Sequence, residues 1–363
     1  MALYPLEKIK ELLRKEKAAA FILLNQEGSG QPGTRYLSGF TGSASIIVIS
    51  KEKSFFQTDG RYLGQYRNEV KKFTFLRQSG TPVPVLLNKI LARSKSRKVL
   101  FDGTRTSFSD WQKITEKVPQ AQFVSSDNIL QEIRRIKQKS EIAHIKMACE
   151  IACKSFLALL PYLKNGVTEK WAAKKLEELM EKNGSEKPAF ETIVASGRNA
   201  SLPHAKPSER KFKAGGLVVI DFGATFGGYV SDMTRTIAIG KPSLRLKKIY
   251  EAVRRAQARG CRTIKAGVRL KTVDGACRLA LQKENLSRFF IHSTGHGLGL
   301  EIHELPLING GATGALEAGN IITCEPGVYI ENFGGVRIED TLLVTKNGAK
   351  NFTGGITTDL ITI

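Results

Sequence analysis

Four of the five histidines, His204, His292, His296 and His303, stand among glycine, proline and acidic residues in the second half of the 363-residue chain. Imidazoles in such settings can ligate metal or carry protons near neutrality. His144 alone lies in a plain helical pattern and reads as a surface imidazole off the apolar stripe. Carboxylates accompany the histidines. Residues 217–239 read LVVIDFGATFGGYVSDMTRTIAI, two β-rich runs flanking Phe226-Gly227-Gly228, which is a hairpin signal. With the turn centred between residues 226 and 227, Asp221 and Asp232 face each other directly across the strands. Facing like charges destabilise a hairpin unless a cation lies between them. A metal ion resolves the conflict, and two aspartates on a solvated face are the alternative.

The same polarity recurs downstream. A strand over 320–325 puts Ile321, Thr323 and Glu325 on one side before Pro326-Gly327 ends it, and a strand over 336–345 puts Arg337, Glu339 and Thr341 on one side. Four carboxylates then sit on or beside apolar β segments, where burial demands a partner charge or a metal. His296, between Gly295 and Gly297, adds a nitrogen ligand on a backbone that can approach closely. Four carboxylates and one imidazole suit a pair of hard or borderline ions, manganese or cobalt, better than structural zinc with its closed Cys/His set. Other motifs fail on their details. The His292-x-x-x-His296 spacing lacks the zincin glutamate, Leu300 occupies the third-glycine place of a dinucleotide loop, and 310–314 lacks the GK[ST] ending of a phosphate loop. No GxSxG elbow is present, and Cys324 is expected to point away from Glu325 as a packed thiol.

The elements that must position these groups fall into two domains. Over the first 125 or so residues, strands at 21–24, 45–50, 54–58, 72–76 and 99–102 alternate with helical patterns at 61–69 and 85–92, an α/β arrangement. From 128 the pattern changes. A long helical stretch over 129–160 carries the stripe Ile142, Ile145, Cys149, Ala152 and Phe156, followed by helices at 168–182, ending at Asn183-Gly184, and at 243–259, ending at Gly260. Glycine-punctuated strands then run to the C-terminus, which makes the second domain α+β. The expected domains are 1–127 and 128–363, with 128–140 as a linker helix and no short-period repeat. Basic residues up to Lys17 and the apolar run 18–24 mimic a secretory signal, but Asn25-Gln26-Glu27 follows where small residues belong, so a helix feeding a buried strand is expected.

At 41% hydrophobic and 25% charged residues, the chain is neither disordered nor of low complexity. It has no apolar run of about 18 residues, so no membrane helix is expected. Five cysteines without a paired CxxC spacing argue against a disulfide framework, and a cytoplasmic protein is expected. The 56 Lys+Arg exceed the 34 Asp+Glu, for a net charge of +22. Residues 1–135 carry 23 basic and 12 acidic residues, which leaves the same excess for the remainder. Without a basic tail, stacking motif or zinc finger, this even spread reads as a solvated surface, and dedicated nucleic-acid binding is not expected.

Taken together, Asp221-Phe222-Gly223, the run from Gly228 to Thr236, HSTGHGLGLEIHE from His292, EPGVY from Glu325 and GVRIED from Gly335 resemble the pita-bread metallopeptidases, in their Xaa-Pro aminopeptidase and prolidase branch. The resemblance extends into the first domain, where the run from Arg35 to Gly42 and Thr58-Asp59-Gly60-Arg61-Tyr62 are similar to a creatinase-type N-terminal domain. It implies a two-domain fold, an α/β creatinase-type domain followed by an α+β pita-bread catalytic domain, and a metallo-exopeptidase.

Residue by residue, the resemblance implies that Asp221 chelates one metal, Asp232 and Glu339 bridge two, and His296 and Glu325 hold the second. His204, His292 and His303 match histidines lining the substrate site, and Arg337 would be a partner of the ligand carboxylates. Two divalent ions, Mn2+ before Co2+ or Zn2+, would generate a nucleophile from water, with Glu325 taking its proton and His303 stabilising the oxyanion. A homodimer, no membrane association and a peptide with proline in second position are also implied. Many prolidases carry an arginine after the His-Glu pair to clamp a dipeptide's carboxylate. Here Leu307 follows His303-Glu304-Leu305-Pro306, which favours an Xaa-Pro aminopeptidase over a dipeptidase. A non-catalytic peptide-binding protein of the same fold and a two-metal phosphoesterase are the remaining readings.

Overall fold

The computed structural model describes residues 3–77, 82–126 and 128–363. The chain forms two compact units, divided between Ile133 and Arg134. The boundary expected from sequence fell at residue 127, which lies outside the described residues.

The first unit is built on one six-stranded sheet, with β1 Ala20–Asn25, β2 Ser45–Ser50, β3 Ser54–Gln57, β4 Thr74–Leu76, β5 Lys98–Phe101 and β6 Gln122–Ser125 in the order β4-β3-β2-β1-β5-β6. Its central strand is buried along its whole length because AFILLN is a continuous apolar run, as a strand covered on both faces requires. Helices α1 Leu3–Lys15, α2 Pro32–Ser38, α3 Leu63–Glu69, α4 Val83–Arg93 and α5 Phe108–Lys117 complete the unit. The N-terminal run thus forms a helix and a core strand. Sequence reading missed α2, α5 and β6, which are short or carry few buried residues.

The helical stretch expected over 129–160 is two helices, α6 Ile129–Arg134 and α7 Lys139–Leu159, so no continuous linker helix spans 128–140. The break has an electrostatic cause. Arg134 and Lys137 turn inward to pair with the buried Glu304. Gln138 then opens α7 in a capping box, its N–H donating to Glu141 Oε2 at 2.9 Å. Within α7, Ile145, Cys149, Ala152 and Phe156 are fully buried, as their spacing predicts.

In the second unit two helix pairs pack on the sheets. Helix α7 and α8 Glu169–Lys182 pack on β7 Ile193–Ser196, β8 Leu217–Phe222 and β11 Met233–Ala238, with strand order β11-β8-β7. Helices α9 Leu244–Thr263 and α10 Leu270–Gln282 pack on the sheet that contains β14 Ile321–Cys324 and β17 Asp340–Val344. That sheet runs β13 (Glu304–Ile308), β12 (Gly295–Gly297), β14, β17, β18 (Ala349–Asn351). The small hairpins β9 Thr225–Phe226 with β10 Tyr229–Val230, and β15 Gly327–Ile330 with β16 Gly334–Arg337, complete the unit.

Four expectations are corrected. The segment after residue 260 is not strands alone, since α10 Leu270–Gln282 comes before them. Helix α9 does not end at Gly260 but runs through it to Thr263. A Cβ at Gly260 would lie 2.4 Å from Cys277 Sγ and 2.8 Å from Cys324 Sγ, so this glycine serves close packing. The strand expected over 336–345 is split, because β16 pairs with β15 whereas β17 pairs with β14, leaving Ile338 and Glu339 between the two ladders. His144 is half-buried, its ring 5.5 Å from that of Tyr229 and against Gly227, where no Cβ would fit.

Candidate metal centre

Strand pairing places the first two carboxylates. The hairpin turn is Gly227-Gly228, with φ of 57° and 73°, and both central residues of a tight two-residue turn of this hand require positive φ. The pairing is therefore displaced by one pair from the expected register. Asp221 faces Thr234, and continuing the same ladder sets Asp232 opposite Gly223. A shift of two residues preserves the face, so both aspartates still look into one cavity. A Cβ at Gly223 would lie 2.0 Å from Ser231 O, and this close approach lets the chain pass beneath Asp232.

His296 comes from β12, threaded between β13 and β14. A Cβ on Gly295 would meet Thr323 O at 2.1 Å, and one on Gly297 would meet Leu305 O at 2.2 Å, so both neighbours of the imidazole must be glycine. The ring is oriented by Nδ1, 3.0 Å from Gly297 O, which leaves Nε2 as the free nitrogen. Nε2 lies 3.3 Å from Glu325 Oε1 and 3.6 Å from Asp232 Oδ2. Glu325 follows β14, with Thr323 Oγ1 donating to its Oε1 at 3.3 Å, while Cys324 points into the core as expected. Glu339, at the strand switch, accepts from Thr234 Oγ1 at 2.7 Å.

All five residues line one cavity of about 490 Å³, together with His204, His292, His303 and Arg337. Ligand atoms of Asp232, His296 and Glu339 lie within 4.8 Å of one another. Glu325 touches this cluster through His296, and Asp221 stands apart from it, its Oδ2 held by Arg337 Nη2 at 2.6 Å. His303 packs edge-on against His296, ring centroids 4.4 Å apart. His204 is exposed at the rim.

The electrostatics call for a cation. Burial holds the carboxyls of Asp232 and Glu339 well above the usual carboxylate range, and the neighbouring carboxylates push them further. Burial raises Asp221 too, against the opposing guanidinium of Arg337. For Glu325 burial acts upward, but the hydrogen bond and charge of His296, then His292 and Arg337, hold it below its ordinary value. Asp221 Oδ1 and Glu339 Oε1 are buried with no hydrogen-bond partner among the described residues. Such orphaned anionic oxygens are costly unless a metal takes them up. Four oxygen donors and one imidazole fit divalent metal ions.

Sequence reading missed Tyr329. Its hydroxyl accepts from Arg337 Nη1 at 2.7 Å and lies 2.9 Å from His292 Nε2, so a polar chain runs from Asp221 through Arg337 and Tyr329 to His292. The signal was present in Gly327, which pairs with Arg337 and has no side chain to block the phenol. Also unforeseen was Arg235, fully buried, whose guanidinium donates to Glu339 O at 2.6 Å and pairs with Asp340 at 2.7 Å.

An α+β unit with carboxylates and an imidazole converging on one cavity, preceded by a mixed-sheet α/β unit, defines a two-domain metallopeptidase of the pita-bread architecture. The chain belongs to metallopeptidase family M24, whose model matches residues 143–346, and the Creatinase/Prolidase N-terminal domain matches residues 5–136. It is similar to the Xaa-Pro dipeptidase of Pyrococcus horikoshii, with 36% identity over 350 residues, 96% of each chain. Among solved structures, it resembles the Xaa-Pro dipeptidase from Bacillus anthracis, with a TM-score of 0.94, 35% identity and full coverage of both chains. It also resembles an X-Pro aminopeptidase from Thermotoga maritima, with a TM-score of 0.88, 35% identity and 99% of each chain covered. Among the described residues, no helix is long and apolar enough to cross a membrane, and the five cysteines are unbridged.

Proposed function

We propose that the chain is a dinuclear-metal Xaa-Pro aminopeptidase, releasing the first residue of a peptide whose second residue is proline. The observation that carries the metal reading is the pair of orphaned oxygens, Asp221 Oδ1 and Glu339 Oε1, in a cavity shared with Asp232, His296 and Glu325. These five would hold two ions, Mn2+ before Co2+ or Zn2+. When bound, the pair would acidify a water and polarise the scissile carbonyl.

The side chains supply the remainder. Glu325 Oε1 is engaged by His296 and Thr323, which leaves Oε2 to take a proton from the attacking water and return it to the departing proline nitrogen. His303 would donate to the oxyanion, and His292 is held in place by Tyr329. Phe190, Ile302 and Leu307 give the cavity an apolar wall suited to the proline ring, whose tertiary amide offers no N–H. The buried carboxylates attract the substrate's free α-amine, which sets scission one residue from the N-terminus.

Leu307, on that wall, supports the aminopeptidase over the dipeptidase, since it offers no charge to a dipeptide's carboxylate. Lys206 supports the dipeptidase as a second reading. It lines the same cavity, and its ion pair with Glu191, at 3.3 Å, is exposed and so readily exchanged for a substrate carboxylate. Rates on Xaa-Pro and Xaa-Pro-Yaa peptides with each of the three metals decide between them. Faster turnover of the longer peptide is expected, preference for the dipeptide selects the second reading, and release from neither removes both.

A further inference from the structure

The even split of charge along the chain conceals a local concentration in space. In the N-terminal unit, a groove of about 980 Å³ lies between α4 and the ends of β1, β2 and β3. Lys17, Lys51, Lys53, Lys89, Arg93 and Lys95 line it, against Glu52 as the one lining carboxylate. None of these six side chains has a hydrogen-bond or ion-pair partner among the described residues. Some other cations of the same unit do find carboxylates, as the exposed Arg61 does with Glu27 at 2.6 Å.

Lys17 adds an independent observation. It closes α1 at a left-handed position, φ 51°, with its N–H donating to Arg14 O at 3.2 Å and the Ala18 N–H to Leu13 O at 2.9 Å. Glycine is the residue that takes this position without strain. The chain places a cation there instead, at the rim of the groove. Between the cations the floor is apolar, with Phe55 and Ile90 each partly exposed within it.

We propose that this groove binds a single-stranded nucleic acid, its phosphates on the lysines and Arg93 and a base against Phe55. Unpaired cations gain affinity for a phosphate backbone by releasing its counterions. An aromatic ring in a basic groove adds sequence-tolerant stacking. A duplex keeps its bases stacked inside, and a flat bilayer would meet the lysine tips without reaching the recessed ring.

Fluorescence polarisation with labelled oligouridylate and oligodeoxythymidylate of about twelve nucleotides tests this on the full-length protein. Binding of at least one strand is expected, with a log–log salt slope of about −3 to −4 for four to six phosphate contacts. The triple change Lys51→Gln, Lys89→Gln, Arg93→Gln should weaken binding about tenfold or more, while Lys174→Gln, Lys247→Gln, Lys271→Gln on the other unit should cost about twofold or less. Phe55→Leu should weaken oligonucleotide binding about fivefold or more and leave inorganic polyphosphate unaffected, since polyphosphate has no base to stack. Lys17→Gly should weaken binding while raising the melting temperature. Peptidase activity of the groove variants reports that they are folded. Equal losses in the two triple variants would mean that diffuse charge alone binds, and would overturn the proposal. So would an absence of binding at low salt, an unchanged oligonucleotide affinity in Phe55→Leu, or a groove triple that loses phosphatidylglycerol vesicles while keeping both strands.

Discussion

Arg337 and Asp221 meet at 2.6 Å through Nη2 and Oδ2, both side chains almost fully buried, and the pairing leaves Asp221 Oδ1 facing the cavity with no partner of its own. One oxygen is neutralised and aimed while the other stays available. Arg337→Met should therefore do two things. It should destabilise the metal-free protein by about 3–5 kcal/mol, as breaking a buried pair does. It should also weaken metal binding about 10–100-fold, as losing the partner of a ligand does. Chemical denaturation with and without chelator measures both.

Asp232→Asn and Glu339→Gln separate function from stability. Each removes a carboxyl whose pKa burial and neighbouring carboxylates push well above the usual range in the absence of metal. Activity should fall by more than the roughly 10–100-fold expected for an outer partner. The metal-free variants should nonetheless unfold at equal or higher denaturant than the metal-free parent, because the replacing amide never carries a charge that must be desolvated or that repels its neighbours. A metal-free variant clearly less stable than its parent would contradict the electrostatic account.

The same carboxyls set the pH dependence. A group whose folded-state pKa is raised stabilises fully below its unfolded value, and that contribution is lost as pH rises through the folded value. The melting temperature of the metal-free protein should fall as pH rises above the ordinary carboxylate range, and added Mn2+ should raise it most at the upper end. Glu304 and Asp340, both held low by cations after burial has acted upward, work in the opposite sense at more acidic pH, so the fall is read above their range. A metal-induced rise that shrinks with increasing pH would reverse the sign and defeat the argument.

Tyr329→Phe removes the hydroxyl between Arg337 and His292. We expect kcat to fall about tenfold with KM little changed, as for the loss of an orienting hydrogen bond. The stability cost should be about 1–3 kcal/mol from the unmatched buried donor of Arg337. Steady-state kinetics on one Xaa-Pro-Yaa peptide suffices to separate kcat from KM.

Gly260→Ala sets propensity against packing. Helix propensity alone favours alanine by about 1 kcal/mol. The added methyl would fall 2.4 Å and 2.8 Å from two buried sulfurs, so a net loss of about 1–3 kcal/mol is expected by thermal unfolding.

The chemistry was legible earlier than the geometry. Asp221, Asp232, His296, Glu325 and Glu339 stood out because carboxylates in apolar β runs demand an explanation, and all five face one cavity. The hairpin register was displaced because Phe226-Gly227 and Gly227-Gly228 both read as turns, and only the backbone shows that both glycines take positive φ. Gly260 looked like a helix stop because local sequence cannot reveal the two cysteines brought beside it. Arg134 and Lys137 broke the expected long helix through a glutamate far along the chain, a cause that no window around residue 135 contains. Tyr329 was passed over for the same reason, since its partners come from β16 and from His292.

The strand switch at Ile338 and Glu339 bears on how the molecule holds itself together. Arg337 closes one ladder and Asp340 opens another, so Glu339 sits at a seam between two sheets, its N–H donating to Thr234 O of β11 at 3.1 Å. Cations bound there would rivet two sheets through a side chain, making the catalytic ions part of the scaffold as well as of the chemistry. Chelation would then be felt first as loosening along this seam, ahead of any global melting.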